Sequence, residues 1–236
     1  MRYRQTDSMA GQRIFATCVL LTHFLIFSFS QSQSEWRDSL HLLNRQIASE
    51  GRQQWNTDLH LRKAAANMQL QQWQYAVDEY AAILAREPHN PAALFYRAYA
   101  NTHLRRYLLA RRDYEQLLAA IPRHFEARLS LAYVLQQMQK PKEALEQLNQ
   151  LVEQHADSAV AYAARANVEV ELGAKDAAVF DWQQAVRLAP GNADYAASLA
   201  DLLIALNRRR EARRVLDEAV ARGIARGLLA EWYSRL

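Results

Sequence analysis

The sequence predicts an all-α solenoid of about five helix-turn-helix repeats, and three observations predict it. Ala64, Ala98, Ala132, Ala166 and Ala200 stand 34 residues apart, and so do Ala76, Ala110, Ala144, Ala178 and Ala212. Pro88, Pro122 and Pro190 keep the same period. Alanine supplies 41 of the 236 residues against 6 Gly and 5 Pro, a helical composition, yet ten alanines at ten set places exceed what composition alone provides. Small residues held in one register let two helix axes approach closely, and proline ends a helix because it cannot donate the needed hydrogen bond. The period places repeats at 57–90, 91–124, 125–158, 159–192 and 193–226. Solenoid repeats bury their apolar faces only against neighbours, so both ends of the array call for caps.

The chain before the repeats has its own character. Arg2, Arg4 and Arg13 precede an uncharged run from Ile14 to Phe29, followed by Ser28-Phe29-Ser30-Gln31 with small residues where a signal peptidase reads. Basic, apolar, small is the order of a secretory signal. Residues 1–30 are therefore expected to be a signal peptide, which exports the chain to a bacterial periplasm, or a signal anchor, which ties it to the membrane. The run is shorter than the roughly 20 residues of a spanning helix. Cys18, the single cysteine, lies inside it, so the cleaved chain would hold no thiol and no disulfide. Residues 31–56 read as a polar spacer and an N-terminal capping helix, with Asp38-Ser39 as its cap, Leu40, Leu43 and Ile47 on one stripe, and its end near Gly51.

Within each repeat the second alanine is followed four residues later by Tyr80, Tyr114, Leu148, Trp182 or Leu216, and the exit place holds Pro88, Pro122, Ala156, Pro190 or Ile224. Leu70, Leu104, Met138, Leu172 and Leu206 close the first helices. Trp73, Tyr107 and Pro141 open second helices, proline being tolerated at a first helical position. Over residues 57–226 this pattern resembles the tetratricopeptide-repeat family, whose 34-residue units pair two antiparallel helices. The resemblance implies a right-handed superhelical solenoid that binds a protein or peptide in its concave groove. Its first-helix Leu is replaced by Lys63, Arg97 and Arg165, and looser helix geometry is expected in the first and fourth repeats. Residues 227–236 complete the fold as a C-terminal capping helix, with Trp232 and Tyr233 over the last repeat.

No phosphate loop, paired cysteine, His-Glu-x-x-His motif or nucleophile elbow appears, and the seven histidines lack ligand spacing. The expectation is a non-enzymatic adaptor with no cofactor and no metal. The family resemblance places the first helices along the groove. Arg62, Phe95, Tyr96, Tyr99, His103, Tyr133, Asn167, Glu171 and Asp201 are the candidate partner-binding residues. The aromatic members suit a peptide because they give large contact area at low entropy cost; alternatively, some of them pack between first helices as core. A clamp for acidic chaperone tails, known in the family, would occupy Leu61, Ala65, Tyr96, Glu126 and Ser130, and none of the five matches it.

A net charge of +4 is too small to argue for nucleic acid as a partner. Two basic groups stand out: Arg208 to Arg214 with Arg222 and Arg226, and Arg105, Arg106, Arg111 and Arg112. Each reads either as an anion-binding patch or, with more weight, as a solvated helix face whose aliphatic stems cover apolar surface. A membrane role follows only if the N-terminal segment is retained, and self-association stays open.

Overall fold

In a computed structural model the described residues are 33–49 and 55–236. The segment expected to be a signal peptide or anchor, residues 1–30, lies outside them. The described chain is helical, beginning with α1 (Gln33–Ser49). Five pairs follow: α2 (Thr57–Gln69) and α3 (Trp73–Arg86), α4 (Pro91–His103) and α5 (Tyr107–Ala120), α6 (Phe125–Gln137) and α7 (Pro141–Gln154), α8 (Ala159–Glu171) and α9 (Lys175–Leu188), α10 (Ala193–Ala205) and α11 (Arg209–Ala221). A 3₁₀ turn (Arg226–Leu229) and the short α12 (Ala230–Ser234) close the chain. It divides into two compact units, one ending at Gln139 and the other beginning at Lys140. Among the described residues no helix is long and apolar enough to cross a membrane.

Helix α1 starts earlier than Asp38-Ser39, which sit inside it, and this corrects the expected cap. The apolar stripe runs back to Trp36: Leu43 is buried with Leu59 and Ala66, and Trp36, Leu40 and Ile47 pack against them. That spacing carries the helix one turn further toward the N-terminus.

The period repeats at both ends of the first helices. Asn56, Asn90, His124, Ser158 and Asn192, again 34 apart, are their N-caps. Each side chain accepts a backbone N–H from the first turn. Such a cap satisfies one otherwise orphaned donor and contributes about 1 kcal/mol. At the other end Gln71, Arg105, Gln139, Gly173 and Asn207 all take positive φ, between 57° and 78°. This left-handed residue reverses the chain into the second helix, a conformation glycine adopts freely and a side chain adopts at a cost.

The members of both alanine ladders are buried, each 0 % or 1 % exposed. A larger side chain there would overpack the crossing at about 1–3 kcal/mol. The large residue four places on is buried too, as Tyr80, Tyr114, Leu148, Trp182 or Leu216.

Lys63 and Arg165, in the first and fourth repeats where looser geometry is expected, are ion-paired, as Arg97 is in the second. Each meets a carboxylate 16 residues on, where the second helix has returned alongside. Arg97 forks onto Asp113 at 2.8 and 2.7 Å, Arg165 onto Asp181 at 2.6 and 2.8 Å, and Lys63 reaches Glu79 at 2.5 Å. The place one turn beyond each cation is also polar and buried: Asn67, Asn101 and Glu169. In the third and fifth repeats the corresponding places are Leu131 with Leu135 and Leu199 with Leu203, all four buried. One position set is thus solved either by an ion-paired polar group or by hydrocarbon. The polar solution is directional, because two fork hydrogen bonds fix one helix against the other.

In the second unit α8 to α11 share a core around Trp182, Tyr195, Leu199 and Leu216. Leu229 of the 3₁₀ turn is buried in that core, and Trp232, Tyr233 and Leu236 pack against it. The C-terminal cap is therefore a 3₁₀ turn plus five helical residues.

Candidate partner-binding site

Tyr99 and His103 lie one turn apart on α4, so both side chains leave the same face of the helix. The left-handed Gln71 delivers Trp73 to the start of α3, beside that face. The His103 ring stacks on the Trp73 indole with centroids 4.0 Å apart and planes 5° apart. Tyr99 leans onto both, 4.7 Å from His103 and 6.3 Å from Trp73. One period on, Tyr107 and Tyr133 hold the places of Trp73 and Tyr99. Tyr107 and Arg105 both stand near enough to act on the Tyr133 phenol. These aromatics are half-buried, apart from His103, which is exposed.

The platform residues are all aromatic, with no carboxylate, lysine or arginine among them. Partial desolvation lowers the His103 pKa below its usual value, and burial raises those of Tyr99 and Tyr133. Its chemistry is that of flat, polarisable faces rimmed by hydroxyl groups, suited to apolar and aromatic side chains.

The other candidates sit elsewhere. Phe95 is a correction: it is 6 % exposed, edge-on to Tyr114 at 5.8 Å and stacked on His124 at 5.5 Å, and so belongs to the core between repeats. Tyr96 is half-buried and stacks on Tyr80, with centroids 6.0 Å apart, separate from the Trp73 group. Arg62 is exposed on α2 and approaches Asp58, at 3.9 Å.

In the second unit, Asn167 donates to the Ala163 carbonyl at 3.0 Å, Glu171 is exposed, and Asp201 is tied to Arg235 at 2.5 Å. These three form no aromatic surface. Sequence reasoning missed Trp73 and Tyr107 as site residues. Their signal was present: two aromatics 34 apart at first helical positions, where packing within the pair does not require them.

The C-terminal arginines are partly neutralised by their own helix. Arg208 forks onto Glu211 at 2.7 and 2.8 Å, Arg214 and Arg222 approach Glu218, and Arg226 lies 4.2 Å over the Tyr233 ring. Among the described residues no group of three or more His, Cys, Asp or Glu side chains could hold a metal ion.

Two family models, both described as tetratricopeptide repeat, match residues 61–125 and 102–168. Together with the 34-residue register of helices, they identify tetratricopeptide repeats over residues 61–168. Solved structures share the fold. A tetratricopeptide repeat protein from Parabacteroides merdae aligns with a TM-score of 0.69 and 18 % identity over 90 % of this chain and 79 % of its own. MamA from Desulfovibrio magneticus RS-1 aligns at 0.64 and 19 % identity, over 70 % and 93 %. YrrB, described as a TPR protein with an unusual peptide-binding site, aligns at 0.60 and 19 % identity, over 76 % and 92 %. A comparison with curated proteins finds no match.

Proposed function

We propose that the chain is a non-enzymatic interaction module that holds a partner protein or peptide against its first helices, the concave groove of the solenoid, with the aromatic platform as the point of grip. The carrying observation is the Trp73–His103 stack with Tyr99 beside it, followed one period later by Tyr107 and Tyr133. Half-exposed aromatics held rigid by stacking lose little entropy when a ligand covers them, which is what anchor positions of an interface require. The tetratricopeptide architecture supports the same reading, because its repeats display side chains along an extended surface.

The test is a peptide-display library panned on the purified chain and on Tyr99→Ala/Tyr133→Ala, with the fold of the variant checked by circular dichroism. Peptides enriched by the first and lost by the folded variant support the reading. Equal enrichment by both refutes it.

The N-terminal sequence supports export, with membrane tethering through residues 14–29 as the alternative. N-terminal sequencing of the protein purified from its source decides between them. A chain starting at Gln31 removes the tethered version, and a chain retaining residues 1–30 removes the cleaved one.

A further inference from the structure

We propose that the platform takes an acidic peptide carrying an apolar anchor side chain, an inference that rests on the partner-binding reading above. One place differs in a telling way between successive repeats. The residue just before each second helix is a cation in three of them, and in two of those it has its own counter-ion three residues on. Lys140 meets Glu143 at 2.6 Å, and Arg208 meets Glu211 at 2.7 Å. In the second repeat Arg106 is followed three residues later by Leu109, which is 51 % exposed. Arg106 donates to the neutral amide of Gln74 at 2.6 Å, and Gln74 in turn donates to Asp78.

Arg105 beside it is exposed in the left-handed turn, and its charge reaches the Tyr133 phenol, where it opposes part of the rise that burial causes. Among the described residues no carboxylate pairs with Arg105 or Arg106. Two cations with no paired carboxylate among the described residues therefore border an aromatic surface, and the complement of that surface is negative charge flanking an apolar group.

Two fluorescein-labelled probes test this by anisotropy: Asp-Glu-Phe-Leu-Asp-Glu-Asp and its neutral counterpart Asn-Gln-Phe-Leu-Asn-Gln-Asn. The discriminating variant is Arg105→Gln/Arg106→Gln, which reproduces Gln71-Gln72 at the same places in the first repeat and so leaves the turn in a form the fold already uses. The acidic probe is expected to bind roughly three- to tenfold more tightly than the neutral one at low salt. That preference should vanish at high salt and in the variant. Equal binding of the two probes, or a preference that survives the variant, overturns the proposal. If the neutral probe still binds and loses affinity in Tyr99→Ala/Tyr133→Ala, the platform stands as a binding site and only its charge preference is refuted. Failure of both probes to bind refutes the platform as well.

Discussion

Replacing the polar triad of the fourth repeat by the apolar triad of the fifth tests how these helix pairs are held. Arg165, Glu169 and Asp181 correspond, 34 residues on, to Leu199, Leu203 and Val215. Asp181 is 1 % exposed, and its two oxygens receive the Arg165 fork at 2.6 and 2.8 Å. Arg165→Leu alone strands that carboxylate next to Glu169, a loss of about 3–5 kcal/mol. Arg165→Leu, Glu169→Leu and Asp181→Val together leave no buried charge behind. The triple variant should then match the parent or exceed it by about 1–4 kcal/mol, as when buried ion groups give way to hydrocarbon of similar volume. The coupling among the three sites is accordingly at least about 3 kcal/mol. Urea unfolding followed by far-ultraviolet circular dichroism reads it. With a slope of about 2 kcal/mol per molar, the single variant loses roughly 1.5–2.5 M of midpoint and the triple loses none. A triple variant as unstable as the single one would refute the reasoning, because hydrocarbon would then fail to substitute for the ion pair in this fold.

Glu169 gives the chain a pH dependence of known sign. Burial, and then the neighbouring Asp181, raise its pKa from 4.5 to about 7. Its contribution is fully present below about 4.5 and is lost as pH rises through about 7, so Glu169→Gln should remove up to about 3 kcal/mol of the stability difference between pH 5 and pH 8, measured by urea midpoints. His124→Ala should lower the melting temperature by the loss of a cap, about 1 kcal/mol, while His124→Asn, which copies Asn90, should keep it. Gln71→Gly should raise stability by about 0.5–1 kcal/mol by relieving a left-handed side-chain conformation, and Gly173→Ala should lower it by a similar amount in the same denaturation assay.

Much of this architecture is legible in the residues because alanine at a helix crossing and proline at a helix exit each answer one mechanical demand. The cap ladder is less visible. Asn56, His124 and Ser158 share no shape, only an acceptor atom at the right distance from the first-turn amide. The left-handed ladder is hidden more deeply, since glutamine and arginine give no sign of their φ. Lys63, Arg97 and Arg165 read as departures until the second helix brings Glu79, Asp113 and Asp181 back alongside. That meeting depends on tertiary geometry, although its 16-residue spacing is present in the chain.

At the site, the 34-residue relation of Tyr99 and Tyr133 marks them as a row. Phe95 and Tyr96 are adjacent in sequence but diverge, because Tyr114 and His124 close over the one and leave the other half-open. The start of α1 escapes for a simpler reason: Trp36 extends the apolar stripe past a residue pair that resembles a cap.

The most direct measurement follows the amide, indole and ring resonances of the chain by nuclear magnetic resonance while a panned peptide is added. The account predicts that the largest shifts fall on the Trp73 indole N–H, Tyr99, His103 and Tyr133, with α11 unmoved. Shifts concentrated on Arg209, Arg210 and Arg213, with the Trp73 group unchanged, would contradict it and move the site to the C-terminal arginine face.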